Sequence, residues 1–386
     1  MDLSVLGGLS PEVFLRDYWQ KKPLLVRGAF PGFESPLSPE ELLALACRDG
    51  MYPRLILENA GEYPWELLAG PFEPEELHSL PDRGWTILVG DVNRCVPAAA
   101  ALLDPFRFLP NWRIDDVQVS YAPPGGNAGP HVDNYDVFLV QGYGQRRWQI
   151  SCTPAPGDAA FVPDADVAIL ATFVPDAEWI LSPGDMLYLP PRLPHWGVAV
   201  NHCMTYSVGF RAPVVQDLLH GLLVAAGTHA DSTTHFGDAG RKPAEHPGLI
   251  DADDLAWVRR KVWQFLANGD DIDRLFGRFI TQPGEALERP AEDMSAPEVR
   301  RLLVSGGTLR RAAIGFLAHI EGSDRAHLYA CGQEYVLGGR LVHAARLVTG
   351  TQPLTYQTLN PYLDTPAFAD MLAELINMGC LAVNSR

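Results

Sequence analysis

The stretch DVQVSYAPPGGNAGPHVDNYDVFLVQGYGQRRWQIS, residues 116–151, decides how the chain is read. Three β-rich runs, DVQVSYA (116–122), YDVFLVQG (135–142) and RRWQIS (146–151), are separated by Gly/Pro turns, the pattern of short antiparallel strands. At the head of the middle run stand His131 and Asp133. On an extended strand residues i and i+2 face the same way, so the spacing predicts two side chains pointing together into whatever the sheet encloses. An imidazole and a carboxylate buried side by side with no partner are costly; around a metal ion they are stable.

The strand text continues outward. FLRDYWQKKPLLVRG (14–28) reads as a helix running into a strand, and EWILSPGDMLYLPPRLPHWGVAV (178–200) and CMTYSVGFRAP (203–213) keep the same rhythm. Many short strands at regular spacing predict an antiparallel barrel or jelly roll over residues 1–213. Composition changes there. VVQDLLHGLLVAAG (214–227) and DDLAWVRRKVWQFLANG (253–269) carry apolar residues at helical spacing, which predicts a small helical domain over 214–290 with an apolar face for the first domain or a second subunit. Residues 291–386 read as a helix, two strands (RRAAIGFLAHI and HLYACGQEYVL) and further helices, the order of a winged helix. That segment holds eight Arg, no Lys and nine Asp or Glu, the wrong balance for tracking a phosphate backbone, so a structural or protein-contact role is expected rather than direct DNA binding.

Bulk properties bound the rest. A formal charge of −17 disfavours nucleic acid and anionic membranes and favours a basic partner. No apolar run is long enough to span a bilayer, and the N-terminus has no basic start followed by an apolar core. Six scattered cysteines without a CxxC pair suit free thiols in a reducing compartment, so a cytoplasmic protein is expected.

A lone H-x-D is weak, and the chain has a second, His229-Ala-Asp231 with His235 nearby, in a polar loop with no strand to hold it. His131 and Asp133 are favoured by their β context. A third ligand is expected from PGDMLYLPPRLPHWG, where Gly184, Pro190 and His195 follow cupin spacing. Two His and one Asp form the facial triad of non-haem Fe(II) oxygenases. Zinc is the rival metal, and a hydrogen-bonded core histidine the structural alternative. In RRWQIS, Trp148 and Ile150 should face inward, and Arg146 shares their parity while Arg147 and Gln149 face out. An inward guanidinium without function is expensive, whereas facing a carboxylate it is well placed. Ser120, on the earlier strand DVQVSYA, can add a hydroxyl to the same carboxylate.

With those residues in place the chain resembles the Jumonji-C (JmjC) oxygenases of the cupin superfamily, and within them the bacterial ribosomal oxygenases that hydroxylate an arginine of large-subunit protein uL16. The resemblance rests on YWQKKPLLVRGAF, LLVGDVNR, the block from LPNWRIDD through RRWQIS, SPGDMLYLPPRLPHWG and YSVGFRAP, and runs along nearly the whole chain. It implies a double-stranded β-helix, a helical dimerisation region and a winged-helix-like end. It implies Fe(II) held by His131, Asp133 and His195, 2-oxoglutarate as cosubstrate contacted by Arg146 and Ser120, and hydroxylation at an arginine β-carbon. Related enzymes acting on His or methyl-lysine, a cupin-type sensor and a silent binding module are the other readings. Three positions depart from the family pattern: Arg192 where Gly is usual, Thr205 where Asn is expected, and a bulky Trp196 beside the distal histidine, expected to narrow the substrate entrance.

Overall fold

The computed structural model describes residues 3–58, 64–226, 235, 252–266, 269–283, 292–312 and 316–384. The chain forms two compact units, Met1–Ala212 and Pro213–Arg386. His229 and Asp231 lie outside the described residues. Among the described residues no helix is long and apolar enough to cross a membrane.

Among the described residues the first unit has eleven strands: β1 (Leu24–Val26), β2 (Arg54–Glu58), β3 (Trp65–Ala69), β4 (Trp85–Val89), β5 (Ile114–Ala122), β6 (Val137–Tyr143), β7 (Arg146–Ile150), β8 (Ala177–Leu181), β9 (Met186–Leu189), β10 (His195–Ala199) and β11 (Cys203–Phe210). Eight form a sheet in the order β1-β9-β6-β11-β5-β4-β2-β3, and three form a second sheet, β10-β7-β8. The segment 125–131 runs antiparallel along the free side of β10. It is bonded at one end by Gly125 and Gly126 to Ala199 and at the other by His131 to His195. The two sheets face each other as a double-stranded β-helix, with Val137, Leu139, Leu187 and Leu189 meeting Trp148, Ile150 and Leu181 between them.

Strand parity separates core from cavity on β5. Val117 and Val119 are fully buried in the outer core, which packs against the N-terminal helices, while Asp116, Gln118 and Ser120 point to the inner cavity. The helix Pro11–Asp17 is capped by Ser10 and inserts a fully buried Phe14 among the rings of Phe138, Tyr188 and Phe108. Burying such a ring contributes roughly 2–3 kcal/mol and pins the helix to the outer face of the large sheet.

The second unit carries helices Val215–Ala226, Ala252–Leu266 and Gly269–Thr281, then a small α+β fold. Its strands are β12 (Thr308–Arg311), β13 (Leu317–Glu321), β14 (Arg325–Ala330), β15 (Gln333–Gly338) and β16 (Leu381–Asn384). β13-β14-β15 form one sheet, and β12 pairs with β16. The two runs expected as strands thus hold parts of four, β12 to β15, and β16 is a fifth among the described residues. HLYACGQEYVL folds back on itself at Cys331 and Gly332, whose φ values of 49° and 77° make a two-residue hairpin turn. Gly277 on the helix Gly269–Thr281 sits where an added Cβ would lie 2.4 Å from the Tyr329 ring, so glycine lets the helix close on the sheet.

Candidate active site

His131 and Asp133 are not on a regular strand, contrary to the expectation of a shared strand face. β6 begins only at Val137, and the residues before it are irregular. Their convergence has another cause. His131 and His195 exchange two backbone hydrogen bonds of 3.0 Å, and the Arg192 N–H donates to the Asp133 carbonyl at 2.6 Å. His195 and the turn that precedes it thereby hold the other two residues in place.

The ligand atoms of His131, Asp133 and His195 lie within 4.8 Å of one another. His195 Nε2 is 3.6 Å from Asp133 Oδ2, and the two imidazole rings are 4.3 Å apart. Each ring is oriented by its far nitrogen: His131 Nδ1 donates to the Gly129 carbonyl and His195 Nδ1 to that of Leu193, both at 2.9 Å. With Nδ1 carrying the proton, each Nε2 keeps its lone pair free, as a metal ligand requires. Burial, reinforced by the neighbouring His131, holds the His195 imidazole down to about 4, so it is neutral at ordinary pH. Two imidazoles with Nδ1 tied to backbone carbonyls and a carboxylate, open on one side, fit the donor set of a non-haem Fe(II) centre.

The triad opens into a cavity of about 550 Å³ that is also lined by Ser120, Arg146, Trp148 and Thr205. β7 shows the expected parity, with Arg146, Trp148 and Ile150 buried and Arg147 exposed. Arg146 is 5% exposed, and its Nε and Nη2 have no hydrogen-bond partner among the described residues. A buried, unpaired guanidinium in a cavity wall is costly unless an anion joins it. It fits the carboxylate of a bound dicarboxylic acid.

The three departures resolve differently. Arg192 adopts the left-handed backbone that favours glycine, with φ 63°, and its guanidinium donates to the carbonyls of Ala155 and Pro156 at 2.9 and 2.8 Å. The turn keeps a glycine-like shape and the charge is tied to a neighbouring loop. Thr205 pairs across from Ser120 and spends its hydroxyl proton on Gln141 Oε1 at 3.1 Å, leaving it nothing to donate to a carboxylate. Trp196 does not narrow the cavity. It alternates with His195 on β10, faces the other side and donates to Asn127 Oδ1.

One candidate, Asp116, is not singled out by the sequence motifs. Its carboxyl lines the same cavity, accepts the Asp91 N–H at 2.8 Å, and is pushed up to about 7 chiefly by burial. The signal it does carry is its alternation with Val117 and Val119 on β5.

Comparison with known proteins agrees with this geometry. A JmjC domain pattern matches residues 101–218 and a ROXA-like winged helix matches 264–382. The chain is 33% identical over 374 residues, 95% of each protein, to the ribosomal protein uL16 3-hydroxylase of Escherichia coli (strain K12). The crystal structure of E. coli ycfD superposes with a TM-score of 0.86 at 32% identity, covering 97% of this chain and 98% of that one. The structure of YcfD, a ribosomal oxygenase from Escherichia coli in complex with cobalt and 2-oxoglutarate, matches with a TM-score of 0.83 at 32% identity over 98% and 99% of the two chains. This chain therefore belongs to the JmjC-domain ribosomal oxygenase family of the bacterial uL16 3-hydroxylase.

Proposed function

We propose that the chain is an Fe(II)- and 2-oxoglutarate-dependent hydroxylase acting on the β-carbon of an arginine in ribosomal protein uL16. The observation that carries this reading is the convergence of His131, Asp133 and His195 in one cavity with the unpaired guanidinium of Arg146. In this assignment the three residues hold the metal and Arg146 grips the far carboxylate of the cosubstrate, with Ser120 beside it. Iron and 2-oxoglutarate bound there would supply the O₂-derived oxidant, with succinate and CO₂ as co-products. The protein's part is positioning and water exclusion. Nδ1 hydrogen bonds fix both imidazoles, apolar Val137, Leu139 and Trp148 wall the cavity, and Asp116 offers a carboxylate for a cationic side chain.

An arginine on a basic protein also suits a chain of net charge −17. Action on a ribosomal protein implies a cytoplasmic enzyme. The division into a catalytic segment 1–213, a helical segment 214–290 and a winged-helix-like segment 291–386 belongs to the same proposal. So does a homodimer through the helical segment, supported by Leu255, Val258, Val262 and Trp263, which form one exposed apolar stripe on the helix Ala252–Leu266.

The test is anaerobic titration with Fe(II) and 2-oxoglutarate, followed by mass spectrometry of a uL16 fragment after O₂ is admitted. The expected result is a metal-to-ligand charge-transfer band and an arginine gaining one oxygen. Asp133→Ala should give neither, and an unmodified arginine with the wild-type chain rejects the substrate.

A further inference from the structure

We infer that Trp148 is a cosubstrate-binding residue, its indole N–H donating to the distal carboxylate of the 2-oxo diacid alongside Arg146. This deepens the function proposed above and rests on it. The register of the small sheet supplies the frame. Ile150 lies opposite His195, Trp148 opposite Gly197, and Arg146 opposite Ala199. Along the inner face the order is therefore metal ligand, indole, guanidinium. The indole ring is 5.9 Å from the His195 ring, and the Arg146 guanidinium carbon is 5.9 Å from the indole. A diacid held by the triad at one end and by Arg146 at the other must pass along Trp148.

Two further observations mark the indole as more than filler. Gly197 faces it where an added Cβ would lie 2.7 Å from Cη2 and Cζ3, so β10 gives up a side chain to let the ring lie against the strand. Trp148 is 5% exposed and lines the cavity, yet its Nε1 has no hydrogen-bond partner among the described residues. An indole N–H can only donate, and leaving it unmet in a buried site is unfavourable. In the first unit the other buried donors without a partner among the described residues are Arg146 Nε and Nη2, which share this wall, and Asn93 Nδ2, which does not line the cavity. Three unmet donors on two residues of one strand face call for an acceptor-only group, and a carboxylate is one.

The experiment compares the full-length zinc-loaded wild type with Trp148→Phe, which keeps a ring and removes the donor. Calorimetric titrations use 2-oxoglutarate and 2-oxopentanoate, the same chain length without the distal carboxylate. The expected result is that 2-oxoglutarate weakens by about tenfold in Trp148→Phe while 2-oxopentanoate is unchanged, with zinc stoichiometry and thermal midpoint retained. Equal weakening of both acids, or of neither, overturns the inference. In ¹⁵N-tryptophan-labelled wild type, the Trp148 indole N–H, identified by its absence from the Trp148→Phe spectrum, should move downfield on adding 2-oxoglutarate to the zinc form. An unmoved resonance on saturation also overturns the inference and does not depend on the variant's affinity. A wild type that binds no 2-oxoglutarate with metal present would instead bring down the proposed function itself.

Discussion

Asp116 joins burial, charge and specificity in a single residue. Gly90 and Gly209 flank its carboxyl, and the Asp91 N–H is its hydrogen-bond donor. The facing charges are Asp91, Asp115 and Arg54; Arg54 is engaged with Gln118 at 2.8 Å, and Asp115 with Arg211. Burial raises the carboxyl to about 7, so near neutrality it is part protonated and must ionise to pair with an incoming guanidinium. The sign follows. Binding of an arginine substrate should be strongest above pH 7 and weaken about tenfold per pH unit below it, because one proton has to leave. Asp116→Asn should raise KM for an arginine peptide and flatten its pH profile, leaving 2-oxoglutarate affinity intact. A profile that stays steep in that variant assigns the titration elsewhere. Arg146 makes the complementary case. Arg146→Leu should weaken 2-oxoglutarate by about 100-fold yet leave the unliganded protein no less stable, since an unpaired buried charge has been removed. Differential scanning calorimetry beside ligand titration checks both halves. Chemical type and strand parity make Arg146 legible in the sequence, whereas Asp116 is one acid among 47 Asp and Glu, and only burial distinguishes it.

At the scale of elements, legibility follows periodicity. β5, β7 and β11 alternate cleanly or carry dense β-formers, so their positions and facing are readable. His131 and Asp133 reach their places through long-range bonds to residues 192 and 195, which no local pattern encodes. The turn at Cys331 and Gly332 is hidden in the sequence because a cysteine in the left-handed region carries no turn signal. The hairpin it closes presents Glu334 to the helix Gly269–Thr281. Arg274 contacts that carboxylate with two nitrogens at 2.7 and 2.8 Å, Arg278 at 2.7 Å and His327 at 2.8 Å. Although burial opposes ionisation, these donors overcome it and hold Glu334 down to about 2. A carboxyl depressed in the folded state contributes stability above its unfolded value, near 4.5, and that contribution is lost as pH falls towards 2. Glu334→Gln should therefore cost about 1–2 kcal/mol at neutral pH, because the half-exposed Arg274 and Arg278 are partly screened by water, and little near pH 2. Acid-unfolding curves that remain parallel from pH 7 to pH 2 would contradict this.

For the whole molecule, the open matter is what covers the helix Ala252–Leu266. Leu255, Val258, Val262 and Trp263 are 42%, 48%, 52% and 67% exposed, at positions i, i+3, i+7 and i+8, so they share one face. A stripe of four large apolar side chains in water is unfavourable by roughly 1–2 kcal/mol per residue relative to burial. A helix of mixed composition such as ADDLAWVRRKVWQFL gains most of its stability from packing rather than propensity. Charge sharpens the argument about the occupant. Asp253 and Asp254 stand at the helix start and Arg259, Arg260 and Lys261 further along, with Arg259 inside the stripe between Leu255 and Trp263, its long side chain able to reach the rim. An antiparallel copy would set each acidic end against the other's basic stretch, whereas a parallel copy would set like against like. The expectation is a twofold dimer that weakens with salt at its rim but not in its apolar centre. Light scattering after size exclusion should give twice the mass of 42.4 kDa for the wild type. The double variant Val258→Asp with Trp263→Asp should give one chain's mass with metal and 2-oxoglutarate binding retained, because the triad and Arg146 all belong to the first unit. A variant that stays dimeric would place the interface on another face.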